Sequence, residues 1–143
     1  MPEILQDFPI KVEPRRVFDA VSTPAGLNAW WTETCSGEPR LGGDYALGFG
    51  PDYPWGARVT QCVPGKLFEL TLTQADADWT GSRVAFELTP IPGGTAVRFS
   101  HRGWAAENAH YCTSAHCWAL YLRILRRHLE HGESVPYALR LDA

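Results

Sequence analysis

Five histidines and four cysteines carry most of the chemistry open to this 143-residue chain, and four of them fall together at His110, Cys112, His116 and Cys117. Cys112 and His116 are four residues apart, which puts them on one face of a helix, as a metal-ligating pair requires. A zinc site takes about four ligands, and Cys117 would project about 100° away from His116 on a regular helix. No second cluster of ligands occurs elsewhere in the chain. The group therefore reads as a helix flank, and neither a metal nor a cofactor is expected. His101 stands apart from that group. It shares strand parity with Val97 and Phe99, so its imidazole is expected to point inward at the end of a strand. There it could act as proton donor, general base or hydrogen-bond anchor. The competing reading is a core histidine satisfied by a neighbouring carbonyl. Asp76 and Asp78 flank Ala77 in a polar loop and read as a solvated turn rather than a catalytic pair. No G-x-S-x-G elbow and no glycine-rich phosphate loop is present.

The aromatic residues offer a different chemistry. Trp31, Phe49, Trp55, Phe86, Phe99, Trp104 and Trp118 all fall on inward faces or at element ends. Large flat side chains with an occasional N–H donor suit a cavity for a greasy or aromatic ligand, although ordinary core is the alternative for any one of them. The candidate cavity set is Trp31, Phe49, Trp55, Phe86, Phe99, His101, Trp118 and Leu122.

Periodicity shows the elements that must position these residues. Within residues 110–131, Ala115, Trp118, Leu122, Leu125 and Leu129 recur at spacings of three and four, with Tyr111 one turn earlier. The pattern predicts a long amphipathic helix. Arg123, Arg126 and Arg127 suit the negative end of its dipole, Gly132 can close it in the left-handed conformation, and Thr113 or Ser114 is expected as its cap. Residues 4–12 read as a first strand. Pro14 and the pair Thr23-Pro24 then each open a short helix, since proline at the first helical position sacrifices no hydrogen bond. From Gly42 onward the pattern changes to period two. Tyr45, Leu47 and Phe49 alternate with smaller residues, then Phe68, Leu70 and Leu72, then Val84, Phe86 and Leu88, then Val97 and Phe99. Proline–glycine turns separate several of these runs. Antiparallel strands followed by one long helix describe an α+β domain, in which a bent sheet grips the helix and leaves a gap over part of its length.

Bulk properties bound the remaining choices. The length suits one domain spanning residues 1–143, and 45% hydrophobic content is ample for its core. A formal net charge of −3 with scattered basic residues gives no nucleic-acid surface. No apolar run approaches a membrane span, and the N-terminus has no signal-peptide pattern. A cytoplasmic protein with reduced, mostly buried thiols is expected. Val135, Pro136, Tyr137, Leu139 and Leu141 make the tail too apolar for a free end. It is expected to pack back on the domain or on a second copy, as in a homodimer.

Several short motifs, in order, resemble a known family. Val12-Glu13-Pro14-Arg15-Arg16-Val17-Phe18-Asp19-Ala20, Thr23-Pro24-Ala25-Gly26-Leu27 and Trp30-Trp31 are similar to the opening of Hsp90-ATPase-activator-homologue-like proteins, of the START/Bet v 1 helix-grip superfamily. Gly42-Gly43, Pro64-Gly65-Lys66-Leu67, Gly94-Thr95 and Cys117-Trp118-Ala119-Leu120-Tyr121-Leu122 also match its pattern. The resemblance implies a helix-grip fold with a hydrophobic cavity, but a shared fold does not select a function. Three readings follow. The first is binding of a small hydrophobic or aromatic ligand between sheet and helix. The second is a cyclase, dehydratase or hydrolase acting on an aromatic or polyketide-like substrate, with His101 as acid–base group and help from Tyr111 or Glu69. The third, implied only by the resemblance, is modulation of a chaperone ATPase.

Overall fold

The computed structural model describes residues 2–142. The chain runs β1 (Ile4–Ile10), α1 (Pro14–Ser22), α2 (Pro24–Asn28), β2 (Thr34–Ser36), β3 (Asp44–Gly48), β4 (Pro54–Val63), β5 (Leu67–Gln74), β6 (Arg83–Ile91), β7 (Gly94–Arg102), α3 (Ala109–His131) and a closing 3-10 helix (Tyr137–Asp142). Among the described residues the strands form one antiparallel sheet in the order β1-β7-β6-β5-β4-β3-β2. The curved sheet, the two early helices and the long final helix are the helix-grip arrangement expected from the alternation of the strands. β2 is the strand that periodicity did not reveal, because three residues are too few to show a period.

Strand register turns sequence parity into layers. His101 lies opposite Ile4 on one side and Val84 on the other, Val84 opposite Leu70, and Leu70 opposite Val59. One step along, Phe99 pairs with Phe86 and Phe86 with Phe68. These residues share the face that packs against the helices, and nearly all are fully buried. Register shifts on β4, between Gly56 and Ala57 and between Val59 and Gln61, mark bulges. Each bulge adds local twist and bends the strand, which helps to curl this end of the sheet.

The helix boundaries follow local chemistry. Pro14 and Pro24 open α1 and α2, and the Thr23 hydroxyl accepts from the Gly26 N–H at 3.0 Å. α3 begins earlier than Thr113 or Ser114 would allow. Asn108 is its cap, accepting from the Tyr111 N–H at 2.9 Å, because the asparagine amide satisfies a first-turn donor as well as a hydroxyl does. Gly132 ends α3 with a left-handed φ of 68°. Trp118, Leu122 and Leu125 are buried along one side, with Ala115 and Leu129 partly so.

The tail does fold back, but not by its leucines. Leu139 and Leu141 are 54% and 49% exposed. The anchor is Arg140, buried and donating to the carbonyls of Asn28, the last residue of α2, at 2.7 Å and of Thr32 at 3.1 Å. The four thiols are free, but three are only half-buried and Cys112 is exposed, so they are less buried than expected.

Candidate ligand-binding site

An open cavity of about 280 Å³ lies at one end of the fold, under the first half of α3. Its wall is assembled from four places: Trp31 after α2, the β3–β4 connection with Phe49, Tyr53 and Trp55, the β5–β6 loop with Asp76 and Trp79, and Tyr137 of the closing 3-10 helix. α3 supplies the remaining wall through His110, Thr113, Ser114, Cys117, Trp118 and Tyr121. The five that follow His110 lie three, four, seven, eight and eleven residues after it, so all six form a single stripe on the helix. Trp118 belongs both to this stripe and to the one facing the sheet.

Five of the rings make a closed circuit. Trp31 lies 5.2 Å from Phe49 between ring centres, Phe49 5.1 Å from Trp55, Trp55 5.1 Å from Trp79, Trp79 5.8 Å from Trp118, and Trp118 5.2 Å from Trp31. Contacts at such separations fix one another's orientation and are favourable beyond simple burial. Polar anchors then lock the circuit. The Trp79 indole N–H donates to the Ser114 hydroxyl at 3.2 Å, and the Trp118 N–H donates to His101 Nδ1 at 3.1 Å.

Four candidate residues, Trp31, Phe49, Trp55 and Trp118, therefore line this cavity. Phe86, Phe99, His101 and Leu122 do not: all four are buried in the core. Phe86 meets Phe99 at 5.3 Å, and Phe99 meets Trp118 at 4.5 Å between ring centres. Parity correctly turns these side chains inward, but inward at the middle of the sheet leads into solid core. The space that the rings border lies at the end, where loops replace strands.

His101 has no free valence for catalysis. An indole N–H can only donate, so Nδ1 is an acceptor and the proton sits on Nε2, which donates to Ser82 Oγ at 2.7 Å. Ser82 Oγ donates onward to the Trp79 carbonyl at 2.6 Å. Burial, aided by the nearby His110, pushes the imidazole down to about 3, so the ring is neutral across the physiological range. Its helpers in the enzyme reading are also elsewhere. Tyr111 donates to the Glu3 carbonyl, and Glu69 accepts from Thr60 and Gln61 on the exposed face of the sheet.

The histidine that reaches the cavity is His110. Its Nδ1 lies 3.0 Å from Asp78 Oδ2, and its Nε2 lies 3.6 Å from Asp76 Oδ2. Asp78 also accepts from the Asn108 side chain at 3.1 Å, and the two hydrogen bonds, His110's first, hold its carboxyl below the usual range. The loop carrying Asp76 and Asp78 is a turn with Asp76 exposed, as expected, but it also meets α3. Buried Trp79 pins it to α3, and the two carboxylates are carried to the start of that helix. Burial raises the Cys117 thiol and pushes Tyr121 up to about 12, which leaves both groups neutral. Among the described residues no three histidine, cysteine or acidic side chains gather as a metal site would require.

The signal for the missed wall was present as helical spacing. His110, Ser114, Cys117 and Tyr121 follow the α3 repeat, but their polar side chains mask the stripe from a hydrophobicity reading. Tyr53, Trp79 and Tyr137 lie in loops or the tail, where no period exists to assign a face.

Comparison with known proteins agrees with this architecture. The family profile described as activator of Hsp90 ATPase homolog 1-like protein matches residues 11–130. The chain belongs to this family. Among solved structures, the solution structure of the Aha1 dimer from Colwellia psychrerythraea is similar at 27% identity and a TM-score of 0.85, covering 94% of this chain and 100% of that one. Protein SSP2350 of Staphylococcus saprophyticus shares the fold at 17% identity and TM-score 0.79, over 94% and 96% of the two chains. CalU16 of Micromonospora echinospora does so at 19% identity and TM-score 0.76, over 97% and 80%. No curated protein matches the chain.

Proposed function

We propose that this protein binds a small hydrophobic or aromatic molecule in the cavity under α3, without covalent chemistry. The observation that carries the reading is the closed circuit of five aromatic rings around a space of about 280 Å³. An open apolar space with a few polar groups at its edge is the usual form of a ligand site. Four of the six tryptophans line the cavity and two, Trp30 and Trp104, do not, so the indole N–H resonances form an internal control. Titration with flat apolar compounds should shift the resonances of Trp31, Trp55, Trp79 and Trp118 and leave that of Trp30 in place. Uniform or absent shifts across such a set would remove the binding reading. Native mass spectrometry of freshly purified protein would then show whether a small molecule leaves on unfolding.

A second reading keeps the cavity and adds proton transfer, and one observation favours it: the His110–Asp78 pair at the cavity edge. If the cavity holds a cyclase, dehydratase or hydrolase, its acid–base group is His110 and not His101. His110→Ala would then abolish turnover. The family description and the Aha1 relative bring a chaperone ATPase and a homodimer into consideration. We rank chaperone modulation below ligand binding, and repeated recovery of a chaperone in pull-downs would reverse that order. A homodimer is our reading of the solution state, to be checked by light scattering on the intact chain. Four unpaired cysteines suit a reducing compartment, and on that ground we place the protein in the cytoplasm.

A further inference from the structure

The chemistry of the cavity wall narrows the kind of ligand, on the premise that the cavity is a binding site. We infer that it selects an organic monocation: an ammonium group carried on a flat or apolar body.

Three observations carry this. The wall is aromatic on nearly every side, from Trp31, Phe49, Trp55, Trp79, Trp118 and Tyr121, and ring faces attract cations through their quadrupole. One acceptor at its edge is unspent. Asp76 presents a carboxylate whose nearest partner, His110 Nε2, lies 3.6 Å away, too far for a hydrogen bond. His110 has its Nδ1–H committed to Asp78. The two oxygens of Asp78 are occupied by His110 and Asn108.

The third observation is what the wall lacks. Among the described residues no lysine or arginine lines the cavity. Arg140 lies 5.5 Å from the centre of the Tyr137 ring, but its guanidinium is spent on the carbonyls of Asn28, Thr32 and Val135. A carboxylate or phosphate ligand would meet Asp76 with no lysine or arginine beside it. An ammonium would meet a carboxylate that has a free side and rings that favour it.

The space equals roughly nine water volumes, which suits a probe of about ten non-hydrogen atoms. Phenyltrimethylammonium, its neutral isostere tert-butylbenzene, and benzoate form a matched series read by tryptophan fluorescence. The cation should bind about tenfold more tightly than the isostere, with benzoate weakest. Asp76→Asn should reduce that preference, read as the ratio of the two affinities, about threefold. The substitution is safe for the fold: Asp76 is exposed, and its backbone carbonyl, not its carboxylate, accepts from Trp79, Thr80 and the Thr80 hydroxyl. Equal affinity for cation and isostere, or a preference untouched by Asp76→Asn, would overturn the inference while the cavity stands as an apolar site. Failure of all three probes to bind would overturn both the inference and the binding reading beneath it.

Discussion

Acid should unfold this protein in large part through His101. The ring is fully buried, and its pKa falls from 6.5 to about 3 because burial penalises the charged form, with a smaller contribution from His110. In the unfolded chain the same ring takes up a proton near 6.5. Between the two values the unfolded state binds more protons than the native state, so stability falls as pH falls. Loss begins below about pH 6.5 and is complete below about pH 3. The interval is three and a half decades of proton concentration. At about 1.36 kcal/mol per decade, the full loss is about 5 kcal/mol, and by about pH 4.5 it is already about 2.7 kcal/mol. That is a large share of the roughly 5–15 kcal/mol that holds a typical domain folded. The test is urea unfolding of wild type and His101→Gln, followed by tryptophan fluorescence at about pH 7.5 and about pH 4.5. Glutamine retains a donor for Ser82 but leaves the Trp118 N–H unpaired, so the variant should start about 1–3 kcal/mol less stable at the higher pH. Between the two pH values it should then lose about 2.7 kcal/mol less than wild type. Other titrating groups act equally in both proteins and cancel in the difference. Parallel losses in the two proteins would refute the buried, neutral assignment of His101.

Three further outcomes follow from individual contacts. A Cβ at Gly26 would stand 2.7 Å from Ala20 Cα and 2.8 Å from the Ala20 carbonyl, and would press on the Asp19 carbonyl. Gly26→Ala should therefore cost about 2–3 kcal/mol in chemical denaturation, since the obstacle is backbone and cannot swing aside. Arg140→Gln should cost about 2–3 kcal/mol by stripping charged donors from the carbonyls of Asn28 and Thr32, whereas exposed Leu141→Ser should stay within about 0.5 kcal/mol. Equal effects would show that the tail is held by its leucines after all. Asn108→Ala removes the cap of α3 and one of the two donors to Asp78. It should lower stability by about 1 kcal/mol in the same assay, and the His110 resonances should shift with it.

The two levels of description divide along a physical line. Alternation at Phe68, Leu70, Val84, Phe86, Val97, Phe99 and His101 determined which face of each strand is buried, because a strand's side chains have only two directions. The repeat through Trp118, Leu122 and Leu125 determined the long helix, and Gly132 its end. Motif order carried the fold, and the family profile agrees with it. What periodicity does not encode is whether an inward residue meets atoms or empty space. Phe86 and Phe99 face inward and meet packed rings, while Trp31, Phe49, Trp55 and Trp118 face inward and border a cavity. That difference is decided by the β5–β6 loop, where the burial of one side chain, Trp79, folds Asp76 and Asp78 over the start of α3. Residues 79 and 114 are 35 apart in sequence, and their hydrogen bond exists only because sheet curvature brings the loop to the helix. The same closure exchanges the two histidines: it seals His101 between Ser82 and Trp118 and leaves His110 at the opening.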